Sequence, residues 1–171
     1  EGVIEANTAL YDRLKDKFRV KLDTSDNSPG WKFAEYEMKG VPVRIEMGPR
    51  DIEAGQCVIV TRHNMEKTVV SIDNIEEVVA EKLKEVRDGM YAKALENREK
   101  KTYSCTTIDE IIESMKQGDG LVKAMWCGDE ECEDKVKELT GVGSRCIPFD
   151  QEHISDTCVC CGKPAKHMLY W

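Results

Sequence analysis

The placement of cysteine constrains this chain more than any other feature. Six of its eight cysteines fall in the last third. They include two close thiol pairs, in Cys127-Gly-Asp-Glu-Glu-Cys132 and in Cys158-Val-Cys160-Cys161-Gly162. With no basic-then-apolar leader in the sequence, and with cytosolic thiols kept reduced, such clustering points to a metal and not to disulfides. Four thiolates enclose one Zn2+ tetrahedrally and leave no position for water or substrate, which makes a site of this kind structural. The predicted ligands are Cys127, Cys132, Cys158 and Cys161. The two-residue gap of the second pair lets the backbone wrap the ion, Gly162 suits the turn that follows, and Cys160 is a possible substitute. The competing reading is a set of buried free cysteines, a common fate of this residue type. Cys57, Cys105 and Cys146 stand singly and read as core or incidental. A cysteine nucleophile needs a base, and only His63, His153 and His167 are available, so that chemistry is disfavoured.

A chain of 171 residues buries one ordinary core, or a modest core plus a small satellite. No apolar run approaches the roughly twenty residues of a bilayer crossing, so a soluble, cytoplasmic protein without a membrane partner is expected. The opening residue is Glu1 and helical periodicity begins almost at once, so the chain reads as cut from something larger, with a first strand missing. The net charge of -8 argues against non-specific phosphate binding, but it is unevenly spread. Residues 1–101 carry 18 Lys+Arg against 20 Asp+Glu, a net of -2, and residues 102–171 carry 7 against 13, a net of -6. Any RNA contact therefore belongs on the first part and reads exposed bases rather than gripping backbone.

Apolar spacing predicts a helix to about Lys17, then a period-2 strand over Phe18–Leu22 and a turn-rich loop to Gly30. Ser28 before Pro29 predicts a capped short helix ending at Gly40. Strands follow near 41–48, 58–60 and 68–72, with a long helix from Asp73 whose buried stripe includes Ile75, Val79, Val86 and Met90. Residues 102–106 read as a break. After it come a helix capped by Thr107, a strand over Leu121–Trp126, a helix over Glu130–Leu139, and strands over Arg145–Phe149 and His167–Trp171. The domains predicted are 1–101 and 102–171. Trp31 reads as a packing residue, and Glu130 and Glu131 as surface charge.

The run from Ser28 to Gly55, SPGWKFAEYEMKGVPVRIEMGPRDIEAG, closely resembles the anticodon-binding domain of prolyl-tRNA synthetases. Arg145-Cys-Ile-Pro-Phe-Asp150 and the paired cysteines resemble the zinc-binding C-terminal extension of the archaeal and eukaryotic-like branch of that family. The resemblance implies an α/β fold, a mixed sheet of about five strands with surrounding helices, followed by a small α+β zinc module. It also implies recognition of the two G bases in the proline anticodon, by a parent ligase whose ATP and Mg2+ chemistry lies in a missing catalytic domain. Such parents are commonly homodimers, while this part alone is expected to be a monomer.

The residues fit that chemistry independently. Guanine offers O6 and N7 acceptors to Arg or Lys, and its N1 and N2 hydrogens suit a carboxylate. Arg44 and Glu46 share one strand face, with Arg50 and Asp51 in the adjoining loop. Lys32 and Phe33 are placed for phosphate contact and base stacking, and Arg62 at a strand end facing the same region. The bland alternative is a solvated charged face. No catalytic residue is assigned, since no phosphate-cradling Gly-rich loop precedes a helix. The competing function is a stand-alone zinc-stabilised module for protein interaction or RNA binding.

Overall fold

The computed structural model describes residues 2–171, which form two compact units, the first ending at Lys93 and the second running from Ala94 to Trp171. In the first, strands β1 (Val43–Glu46), β2 (Gln56–Thr61) and β3 (Lys67–Ser71) pair antiparallel in that order. Arg44 stands opposite Val60 and Glu46 opposite Val58. The central strand supplies Cys57 and Ile59, both without solvent exposure, to a core closed by Leu10 and Leu14 of α1 (Val3–Leu14) and by Ile75 and Val79 of α4 (Ile75–Lys100). The helix α2 (Pro29–Met38) starts where Ser28 Oγ accepts from the Trp31 N–H at 3.4 Å and Pro29 takes the first turn. The Met90 of α4 remains half exposed, because the buried stripe fades beyond Val86.

Two expectations change here. The segment 18–22 alternates as read, and Phe18 and Val20 pack on the core, yet it pairs with no strand among the described residues. Alternation guarantees that every second side chain turns inward; it does not supply a ladder partner. The α/β fold class holds, but the sheet described for this unit has three strands, paired antiparallel, where about five were expected.

Mixed pairing occurs in the second unit, whose sheet runs β4 (Thr102–Ser104), β5 (Leu121–Trp126), β6 (His167–Tyr170). Here β4 and β5 are parallel, joined through α5 (Ile108–Lys116), and β6 is antiparallel to β5. Residues read as a break therefore include a strand, too short to show alternation. Entry into β5 requires glycine: a Cβ on Gly120 would stand 2.5 Å from the Lys101 carbonyl oxygen, which accepts the Leu121 N–H. The Thr107 side chain caps α5 as predicted, and Ile111, Val122, Val136 of α6 (Glu130–Thr140), Leu169 and Trp171 form the core. Arg145–Phe149 is no strand; only Cys146 bridges to Tyr170, while Phe149 is fully exposed. No helix among the described residues is long and apolar enough to cross a membrane.

Candidate functional sites

On the first unit, Arg44 is the hub of a polar cluster. Its guanidinium carbon lies 4.0 Å from the centre of the Phe33 ring, a cation–π stack between β1 and α2. Its Nε donates to Glu46 Oε1 at 2.9 Å, and its Nη1 donates to Glu37 Oε1 at 2.6 Å. Lys67 Nζ is 3.8 Å from the other Glu46 oxygen. Arg62 Nε donates to the Glu37 backbone carbonyl at 2.9 Å, so one residue of α2 touches both arginines. Planar guanidinium, carboxylates and an aromatic face are thus held together at the rim of an antiparallel sheet, with Nη2 of Arg44 making no protein hydrogen bond among the described residues. Of the predicted residues, Phe33, Arg44, Glu46 and Arg62 are brought into this neighbourhood.

The others are placed differently. Lys32 turns to the loop before α2, donating to the carbonyls of Asp23 at 3.2 Å and Ser25 at 2.6 Å, 3.6 Å from the Asp23 carboxylate. That carboxylate is pulled down to about 2, first by the Ser25 hydroxyl and next by the Ser25 N–H. Arg50 and Asp51 lie in a short helix, α3 (Pro49–Glu53), instead of a loop. Asp51 Oδ2 accepts the Gly48 N–H at 3.0 Å and so holds the start of that helix, while Arg50 is exposed. Trp31 is not packed away: it is 51% exposed on the first turn of α2. Glu37 went unread in the sequence, since a glutamate on an amphipathic helix carries no signal until the strand beside it is known.

The second unit gathers Cys127, Cys132, Cys158 and Cys161, with all four sulfurs within 4.8 Å of one another. Cys127 follows β5 directly, and Cys132 sits in the first turn of α6, whose start is capped by Asp129. The Trp126 indole donates to the Asp129 carbonyl at 3.0 Å and fixes the turn between them. The other two ride a knuckle in which the Gly162 N–H donates to the Cys158 carbonyl at 3.1 Å and the Cys158 N–H to the Lys163 carbonyl at 2.8 Å. Gly162 has φ +69, a conformation a side chain would strain. Tetrahedral zinc with bonds of about 2.3 Å needs sulfurs about 3.8 Å apart. Cys161 and Cys127 are separated by 3.8 Å. The donor set and its spacing therefore fit a four-thiolate metal ion. Burial pushes the Cys127 and Cys132 thiols up, whereas the Lys163 backbone N–H beside Cys161 lowers it to about 7. Cys160 is outside the quartet, Cys57 and Cys105 are buried singly, and Cys146 is exposed.

Residues 2–82 match the family model described as anticodon binding domain, and residues 108–171 match that described as prolyl-tRNA synthetase, C-terminal. Together the two matches take in most of the chain, and its whole length is similar to prolyl-tRNA synthetases. The chain is 56% identical over its whole length to a proline–tRNA ligase of Ruminiclostridium cellulolyticum and 54% identical to one of Clostridium botulinum. The fold is similar, at a TM-score of 0.91 and 34% identity over 99% of the chain, to a prolyl-tRNA synthetase of Cryptosporidium parvum solved with L-proline and AMP. The chain spans 36% of the length of each of these prolyl-tRNA synthetases.

Proposed function

We propose that this chain reads the anticodon of proline tRNA on behalf of a proline–tRNA ligase. The observation that carries the reading is the Arg44 cluster, lying inside the segment that matches an anticodon-binding domain. In this reading, Arg44 donates to guanine O6 and N7, and Glu46 accepts from N1 and N2. Phe33 packs against the planar guanidinium, orients it, and offers a stacking face. Arg62 and the exposed Arg50 meet phosphate, while Lys32 and Asp51 hold the loop and the short helix that frame the site. Binding exchanges the Arg44–Glu46 pair for base contacts of the same polarity, which penalises any base that cannot satisfy both groups.

Cys127, Cys132, Cys158 and Cys161 would hold Zn2+, whose role there is structural, because four thiolates close its shell. We place the domain division at 101 and 102, just past the end of α4 at Lys100, although the compact units change earlier, at Lys93 and Ala94. Proline activation with ATP and Mg2+ is assigned to the parent outside the matched 36%, in the cytoplasm and in a homodimer, with the present part monomeric alone. The thiolate module and the likeness to the Cryptosporidium protein support the archaeal and eukaryotic-like type, although the curated relatives named above are clostridial.

The test is binding of the chain to an anticodon stem-loop of proline tRNA, and to one with both anticodon G bases replaced, at two salt concentrations. A loss of about 1–3 kcal/mol per replaced base is expected. Equal, weak and steeply salt-dependent binding of both would remove the reading and favour a stand-alone module.

A further inference from the structure

Among the described residues, Met65 alone combines a side chain with positive φ, at 59°. It ends the turn between β2 and β3, where the Met65 N–H donates to the Thr61 carbonyl and the Thr61 N–H to the Glu66 carbonyl. Chains ordinarily give that left-handed position to Gly or Asn, and Asn64 stands one residue too early to take it. Neither burial nor polarity accounts for methionine there, since it is 49% exposed. Backbone strain retained without a packing return points to a role for the side chain.

Its surroundings say which. Met65 and Val41, itself 37% exposed, line a shallow notch with Tyr36, Glu37, Arg44, Val60 and Arg62. The notch holds about 10 Å³, enough for one water and far too little to swallow a ring. A flat group can lie across it, resting on methionine and valine, with Arg44 and Arg62 both on its lining. Among the described residues Arg62 hydrogen-bonds through Nε alone, which leaves its two terminal nitrogens to an anion. An apolar shelf flanked by Arg62 and by the Arg44–Glu37 ion pair, beside the Arg44–Phe33 stack, matches a nucleotide: base on the shelf, phosphate on Arg62.

We propose that Met65 and Val41 form a stacking shelf for one unpaired base of the RNA loop, next to the bases read by Arg44 and Glu46, and that the strained turn exists to present it. The proposal rests on the anticodon reading above. Each loop nucleotide of the proline anticodon stem-loop is replaced in turn by an abasic one, and binding to the full chain is measured for the native protein, Met65→Gly and Met65→Asn. Both variants suit positive φ, so their melting temperatures are expected to equal or exceed that of the native chain. In the native protein one abasic position, other than the two G positions, should cost about fivefold, less than stacking on an aromatic ring gives. In both variants that cost should vanish, while discrimination at the two G bases persists. If the native chain discriminates at the G bases but the abasic cost is unchanged in the variants, the shelf is refuted and the anticodon reading stands. Absence of any discrimination by the native chain overturns both.

Discussion

Each unit has one long irregular segment, and the two are held by different means. In the first unit, residues 15–28 run between α1 and α2; Phe18 and Val20 anchor the segment in the core, and Asp23, Ser25 and Lys32 tie its end with side-chain hydrogen bonds. In the second, residues 141–166 run between α6 and β6 with two isolated bridges, and Ile147 and Phe149 point outward. What gathers that stretch is Val159, with Val142 and Cys160 packed beside it, on the core, and the pair Cys158 and Cys161 facing Cys127 and Cys132. The shorter segment keeps its place by apolar anchors and local side-chain hydrogen bonds; the longer one, with few anchors for its length, needs a cross-link, here four converging thiols.

The largest effect expected is loss of metal. Chelation, or Cys132→Ser, should release residues 141–166 to near-unprotected amide exchange, since structural zinc sites in small modules are worth on the order of 10 kcal/mol of folding free energy. Residues 15–28 should keep their protection. Exchange measured by mass spectrometry with and without chelator checks both, and equal protection of 141–166 in the two states would mean that thiol burial alone suffices.

The converse change is Ile59→Ala. Ile59 has no solvent exposure in the central strand of the first sheet, so its truncation should cost about 2–5 kcal/mol through lost transfer energy and a cavity. The urea transition of the first unit should move accordingly. Co2+ taken up by the four cysteines, followed by thiolate-to-metal absorption, should be unchanged. Loss of that absorption would show that the two units do not fold independently, and would blur the contrast between them.

How far the sequence foretold this differs in the same way. The Ser28–Pro29 helix start, the Thr107 cap, β5 and the thiol quartet were legible, because each rests on a local rule of spacing or capping. Pairing was not legible. Phe18–Leu22 has a strand's alternation without a partner, while β4 has a partner without enough length to alternate. For the candidate RNA-facing cluster, the shared strand face brought Arg44 and Glu46 into view. Glu37, which reaches Arg44 from another element, and Met65, whose importance lies in a backbone angle, needed coordinates.

The smallest effect sharpens the account of the first segment. Asp23 accepts both the N–H, at 2.9 Å, and the hydroxyl, at 2.6 Å, of Ser25, and these bonds hold its carboxyl near 2 against an ordinary value of 3.8. Because the folded value is the lower one, the unfolded chain binds this proton more readily. The contribution is therefore fully present above about 4 and disappears as pH falls from there toward 2. The Ser25 amide resonance should accordingly titrate with a midpoint near 2, with the end of the segment loosening around Lys32 while the Phe18 and Val20 anchors stay in place. Asp23→Asn, which keeps an acceptor but carries no charge, should abolish the titration and leave intact the bonds from Lys32 to the two backbone carbonyls, which the substitution does not alter. A midpoint near 4 in the native chain would mean that the carboxylate bonds are not formed in solution, leaving the segment to its two apolar anchors and bringing it closer to its counterpart in the second unit.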